Sequence, residues 1–203
     1  MHQYKGRLII HTGSMFSGKT SSLEKDLNRF NIAGYKTLAF KPSVDTRYPD
    51  ADIITHDKIS FKALLVKDIL ELEEYCIKED PQVVGIDEFQ FLGGTIAEIN
   101  RVICWLLDNG ITVVIAGLDM DFSGKPFETM KELMPLADYL NKHHAVCTKC
   151  GTDAWVSHRK VKSKERVVIG ASDEYEPLCR ACFVEAKKEE EAFVNKNQMK
   201  LEV

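Results

Sequence analysis

The chain has no apolar run near the roughly 20 residues that a membrane-spanning helix requires, which excludes a span of that kind. Its first residues lack the succession of basic, apolar and small positions that marks a secretory leader, so the expectation is a soluble, cytoplasmic protein. It has no internal repeat and no low-complexity linker, which argues against a solenoid or a tethered array. Positive charge is not in excess. With 27 Lys and Arg against 31 Asp and Glu, the formal charge is −4, and a general polyanion binder would need a cationic surface. Any phosphate site must therefore be local. What remains is a 203-residue chain with 44% hydrophobic residues, enough for one ordinary domain and a small appendage. Six cysteines include two Cys-x-x-Cys pairs, which in a reducing compartment hold metal more often than they form disulfides.

Apolar, β-rich runs at 7–11 (RLIIH), 37–41 (TLAFK), 83–87 (VVGID) and 111–118 (ITVVIAGL) are separated by segments long enough for helices. That alternation predicts a parallel sheet wrapped by helices. Residues 21–32 and 95–108 place apolar side chains at steps of three and four, the second run stopping at Asn109-Gly110 as a helix C-terminus does. Residues 60–76 form a third helical candidate, partly open to an extended reading at FKALLV. After about Asn141 the texture changes to paired cysteines and a basic run, HRKVKSKER. The expected organisation is an α/β domain over 1–141, a cysteine module over 142–186, and a charged tail over 187–203 that forms a frayed helix or none.

Between the first strand and the first helix, GSMFSGKT fits G-x-x-x-x-G-K-[ST] over residues 13–20. The glycines allow a tight turn whose N–H groups, with the helix N-terminus, point at phosphate oxygens. The phosphate-binding set is Gly13, Ser14, Met15, Phe16, Ser17, Gly18, Lys19, Thr20 and Ser21. Lys19 reaches the outer phosphates and Thr20 offers its hydroxyl to Mg²⁺. VVGIDEFQF puts Asp87 at the carboxyl end of a buried strand as the natural Mg²⁺ partner, with Glu88 beside it. Glu88 activates water in an ATPase, takes an acceptor's hydroxyl proton in a kinase, or is a plain surface carboxylate. The loop thus holds a nucleoside triphosphate, and it leaves the destination of the terminal phosphoryl group open.

Cys147, Cys150, Cys179 and Cys182 make two knuckles separated by 28 residues. Four thiolates fill a tetrahedral Zn²⁺ shell and leave no position for water, so such a metal is structural; redox-active thiols are the rival reading. Cys76 and Cys104, in helical segments, read as buried small hydrophobes. The basic run 158–166 reads either as a nucleic-acid grip or as the charged turn of a solvated hairpin.

Taken together, the loop, the DEFQF element and the knuckles resemble the type II thymidine kinases, the zinc-containing cellular, bacterial and poxviral type. The resemblance spans about Gly6 to Phe183 and rests on motifs in the family's order: GSMFSGKT, KPSVDTRY, THD, GIDEFQF, GLDMDFSGKPF and VIGASDEYEPLCRAC. It implies an α/β fold with a P-loop NTPase-like parallel sheet flanked by helices, plus a small zinc-ribbon-like module carrying a lasso loop. It also implies ATP-dependent phosphorylation of thymidine at the 5'-hydroxyl, and of deoxyuridine, with Mg²⁺ and structural Zn²⁺, homotetramers, feedback inhibition by dTTP, and no nucleic-acid or membrane partner. Glu88 is then the base, with Lys19, Arg47 and Arg159 at the reacting phosphates and Thr20, Asp87 and Asp45 near the metal. Met15, Phe91, Leu118, Phe122 and Phe127 wall the thymine ring; Ser157 stands at its edge, where the family often has Thr; and Val168, Ile169 and Gly170, with Tyr175, form the lasso. Phe89 is larger than the residue usual between the family's Glu and Gln.

The rivals are an ATPase module that grips nucleic acid and a nucleotide-binding regulator without turnover. The acidic balance and the aromatic pocket candidates favour the kinase.

Overall fold

A computed structural model describes residues 5–44, 52–53, 61–160 and 173–198. The expectations at Asp45, Arg47, Val168, Ile169 and Gly170 lie outside these residues.

The strands form where β-branched and aliphatic residues run together. β1 (Leu8–Gly13), β2 (Thr37–Pro42), β6 (Val83–Ile86) and β7 (Thr112–Gly117) match the four sequence runs within a residue or two, and three of them are buried throughout. Two short strands, β3 (Asp52–Ile53) and β4 (Phe61–Lys62), pair with each other in an antiparallel ribbon. The main sheet has six strands in the order β5-β2-β6-β7-β1-β8, every pair parallel, with β5 spanning Leu64–Val66 and β8 Tyr139–His143. Parallel neighbours need long crossovers, and helices supply them.

Helix α1 (Lys19–Ile32) carries Leu23, Leu27 and Phe30 onto one face of the sheet, against Ile9, Val114 and Ala116. α2 (Ile69–Glu79), α3 (Ile96–Asp108) and α4 (Glu128–Leu133) cover the other face, against Leu8, Ile10, Val113 and Ile115. The sorting follows the two-residue period of a strand: Ile9 and Val114 face α1, and their neighbours in sequence face α2 and α3. α3 opens on a capping box in which Thr95 Oγ1 accepts the Glu98 N–H and the Glu98 carboxylate accepts the Thr95 N–H, at 3.2 and 2.7 Å.

Two sequence expectations change. The helical candidate at 60–76 is split: Leu64–Val66 pairs with Phe40–Pro42 at the sheet edge, and the helix starts only where the Asp68 carboxylate accepts the Glu71 N–H. Cys104 is exposed, because the core stripe of α3 is Ile99, Val102, Ile103 and Leu106, whereas Cys76 is buried as expected.

Beyond β8, β9 (Val156–Arg159) and β10 (Tyr175–Leu178) form an antiparallel hairpin with its own core of Val156, Leu178, Phe183 and Ala186. Phe183 and Ala186 belong to α5 (Arg180–Gln198), so the charged C-terminal segment is helical and its first turns pack on the module. The basic run is not a solvated turn at its start: His158 and Arg159 are buried in β9.

Candidate active site

The phosphate loop leaves β1 at Gly13, whose φ of +134° only glycine adopts readily, and a Cβ there would lie 2.1 Å from the His143 carbonyl oxygen. Gly18 caps α1 in the left-handed region without any side-chain cap bond, and no acidic residue occupies the first turn. The first N–H groups of α1 therefore keep their capacity for an external anion. Lys19 Nζ donates to the Ser14 carbonyl at 2.7 Å, and the Ser17 hydroxyl donates to the same oxygen at 2.8 Å. The Ser14 hydroxyl is buried without a hydrogen-bond partner among the described residues. An orphaned hydroxyl, a buried ammonium and a bare helix N-terminus together fit a polyphosphate chain.

Asp87 and Glu88 follow β6 at the same end of the sheet. Thr20 Oγ1 donates to the Asp87 carboxylate, 3.1 Å from Oδ1 and 3.3 Å from Oδ2. Burial, then the adjacent Glu88 charge, pushes the Asp87 carboxyl up to about 7, against the Glu88 N–H, the Thr20 hydroxyl and the Lys19 charge, which all lower it. Two neighbouring carboxylates at a hydroxyl-bearing loop form a hard oxygen donor set suited to Mg²⁺. Glu88 itself adopts φ +49°, an uncommon conformation for a residue with a side chain, at the start of the short 3₁₀ turn Phe89–Phe91. That turn buries Phe89 completely in the core, so its bulk lies away from the site rim.

Among the apolar candidates, Phe91 lies on the turn that Glu88 opens, and Leu118 directly follows β7. Phe91 and Phe127 meet edge to face with centroids 6.2 Å apart, and Leu118 packs against the same core. The Arg159 guanidinium lies 3.6 Å from the Phe122 ring centroid, and Lys187 Nζ lies 5.6 Å from it. Tyr175 is buried and pairs with Arg159 across the hairpin. Ser157 Oγ accepts the Met15 N–H at 2.8 Å, joining the cysteine module to the phosphate loop.

Sequence reasoning missed three features. Gln90 links Glu88 to the backbone of Leu118. Asp119 is buried and ion-paired with Lys142 at 2.9 Å, which ties the end of β7 to β8. Beneath the loop, His11 Nδ1 lies 3.0 Å from His143 Nε2 and His11 Nε2 3.1 Å from Asp26 Oδ2. Burial, followed by the charges of His11, Lys19 and His144, holds His143 below its usual range. A polar residue flanked by phenylalanines was the one available signal for Gln90; the other two depend on partners far apart in sequence.

The ligand atoms of Cys147, Cys150, Cys179 and Cys182 all lie within 4.8 Å of one another, the one such cluster among the described residues. Burial opposes ionisation of Cys147, but backbone N–H groups of Cys179, Cys150 and Lys149 bring it down to about 6. The Cys182 thiol, donating to Cys179, is raised to about 12. This set of sulfurs fits a tetrahedral metal. No helix among the described residues is long and apolar enough to cross a membrane.

The family model for thymidine kinase matches residues 6–183. Relatives include the thymidine kinase of Bacteroides thetaiotaomicron, 42% identical over 92% of this chain and 91% of its own. That of Porphyromonas gingivalis is 41% identical over 88% and 85%, and that of a Rhodothermus species is 39% identical over 88% and 81%. A match that runs from just before β1 through the second knuckle takes in the phosphate loop, the paired carboxylates and the cysteine hairpin as one unit, and the chain belongs to the thymidine kinase family.

Proposed function

We propose that this protein transfers the γ-phosphoryl group of ATP to the 5'-hydroxyl of thymidine, and of deoxyuridine. The observation that carries the reading is the placement of Asp87 and Glu88. One carboxylate is hydrogen-bonded to the phosphate-loop hydroxyl of Thr20, and the other stands on the turn that bears Phe91.

ATP lies along the loop, its phosphate oxygens received by the α1 N-terminus and Lys19. Thr20 and Asp87, joined by Asp45, would hold Mg²⁺, which would supply positive charge beside the phosphates. Glu88 orients the nucleoside hydroxyl in line with the γ-phosphorus and collects its proton late, because phosphoryl transfer passes through a loose transition state. Arg47 and Arg159 supply further positive charge. A flat pyrimidine suits the space bounded by Met15, Phe91, Leu118, Phe122 and Phe127, and Ser157, Tyr175 and the main chain at Val168, Ile169 and Gly170 serve its polar edge. Structural Zn²⁺ on the four cysteines holds the hairpin, with the 1–141, 142–186 and 187–203 divisions as the functional modules. Homotetramer formation, dTTP inhibition and a cytoplasmic location complete the proposal. The burial of His158 and Arg159 at the start of the basic run favours this reading over a nucleic-acid grip.

The test is transfer of label from γ-labelled ATP with Mg²⁺ to thymidine, deoxyuridine, deoxycytidine or deoxyadenosine, with a no-nucleoside control. Label in the thymidine and deoxyuridine products and not in the purine product supports the proposal. Label released only as free phosphate refutes it.

A further inference from the structure

Gln90 is 8% exposed and joins two parts of the site that the motifs treat separately. Its Nε2 donates to Glu88 Oε2 at 2.5 Å, while its Oε1 accepts the Leu118 N–H at 2.9 Å. The orientation of the amide follows from chemistry, since only its oxygen can accept an N–H and only its nitrogen can donate to a carboxylate. β7 is shaped to receive it: a Cβ on Gly117 would lie 2.9 Å from Gln90 Oε1 and 3.0 Å from Met130 Sδ. The small residue at the end of the strand is thus the seat of the Gln90 amide.

Glu88 needs such support. Its backbone is held at φ +49° by the turn, but its carboxylate sits on a side chain with three rotatable bonds. A donor at one carboxylate oxygen removes much of that freedom before the acceptor arrives. The other end of the same amide is fixed to the backbone of Leu118, a wall of the apolar space. A shift of that wall is therefore transmitted to the carboxylate through a single rigid group.

We propose that Gln90 is a positioning residue that aims the Glu88 carboxylate at the acceptor hydroxyl and ties its placement to the Leu118 wall, so that nucleoside seating and base alignment are set together. The inference rests on the kinase reading above and assigns a second residue to it.

The experiment is a double-mutant cycle in steady-state kinetics with ATP, Mg²⁺ and thymidine, using the full chain and the variants Glu88→Gln, Gln90→Glu, Gln90→Met and each Gln90 change combined with Glu88→Gln. Gln90→Met loses both contacts without adding charge; Gln90→Glu keeps the acceptor for the Leu118 N–H and, when ionised, puts a like charge where the donor to Glu88 was. Protection by ATP against thermal unfolding verifies that each variant is folded. The expected kcat of Gln90→Met is roughly tenfold to a hundredfold below wild type, the scale of a hydrogen bond to a charged group. Its KM for ATP should change by no more than about twofold, and in the Glu88→Gln background either Gln90 change should cost no more than about another twofold. Wild-type kcat in Gln90→Met, or costs that multiply in the double variants, overturns the role of Gln90 while leaving the kinase reading intact. A wild-type protein that transfers nothing to thymidine overturns both.

Discussion

Ser157→Ala tests whether the cysteine hairpin holds the phosphate loop. In the wild type, Ser157 is 3% exposed and its hydroxyl accepts the Met15 N–H at 2.8 Å. The alanine variant removes the acceptor and leaves a partly buried loop amide without its partner. An unsatisfied buried donor costs about 1–3 kcal/mol. Because Met15 is only half-buried, water can reach part of its surroundings, which places the cost in the lower part of that range, about 1–2 kcal/mol. For a chain of this size each kcal/mol lowers Tm by about 2–4 °C, so the drop should be about 2–8 °C. The loop should also lose pre-organisation, weakening ATP binding by up to about tenfold. Thermal melting with and without ATP measures both. Ser157→Thr keeps the hydroxyl on a residue suited to a strand and should stay near wild type in each measurement. If Ser157→Ala melts and binds ATP like wild type while the protein is fully folded, the hydrogen bond is not holding the loop and the reasoning fails.

The remaining expectations follow from the same geometry. Glu88→Gln should lower thymidine turnover by at least about a hundredfold with ATP binding nearly intact, measured by transfer kinetics and titration. Gly13→Ala should abolish ATP binding or soluble expression, since the left-handed backbone and a contact of 2.1 Å with the His143 carbonyl oxygen cost more than about 3 kcal/mol together. The folded-state pKa of His143 lies below its ordinary 6.5, so its neutral form is the one the fold accommodates and its contribution is complete above that pH. The contribution is lost as pH falls from 6.5 through the folded value, and denaturant melts of His143→Gln should show a shallower decline than wild type over that window. With a metal on the four cysteines as proposed above, chelating it should raise the KM values for ATP and thymidine and expose Trp155 to solvent, seen by fluorescence. Unchanged kinetics after verified metal loss would contradict the structural role.

Where a residue's identity is dictated by backbone geometry or by a short local pattern, the sequence was legible. Gly13 and Gly18 bracket a loop that few other residues could form, and Thr95 with Glu98 announces the start of α3. β8 left no such trace: four of its five residues are exposed, so YLNKH lacks the alternation that betrays a half-buried strand, and only pairing with β1 defines it. β5 was hidden inside an apolar run whose Leu64, Leu65 and Val66 fit a helix as well as an edge strand until Asp68 fixed the helix start. At the site, the Thr20–Asp87 pair followed from two known elements meeting at the strand ends, while the His143–His11–Asp26 chain joins residues from β8, β1 and α1 that no local pattern connects.

The start of the basic run at 158–159 reads as solvent-facing for a related reason, and β9 explains why it is not. Successive side chains of a strand point to opposite sides, so Ser157 and Arg159 share one side and His158 takes the other. On the first side Ser157 meets the phosphate loop and Arg159 stacks on Phe122. On the second, His158 lies 3.2 Å from Glu176 Oε1 and 2.9 Å from Glu190 Oε1, and its ring packs edge-on against Phe183. The strand is therefore enclosed on both faces although three of its four residues are polar, and composition alone reads such a strand as solvent-facing. Burial of this kind is tolerated because each polar side chain has a partner: a loop amide, an aromatic face, and two carboxylates. Apart from Glu176 on β10, those partners come from the phosphate loop, the segment after β7 and α5, so the hairpin fixes its own place by satisfying groups on three other elements. The phosphate loop and the apolar walls are thereby held in one arrangement by a four-residue strand, and the paired cysteines lie at the end of that hairpin where a metal would keep it from fraying.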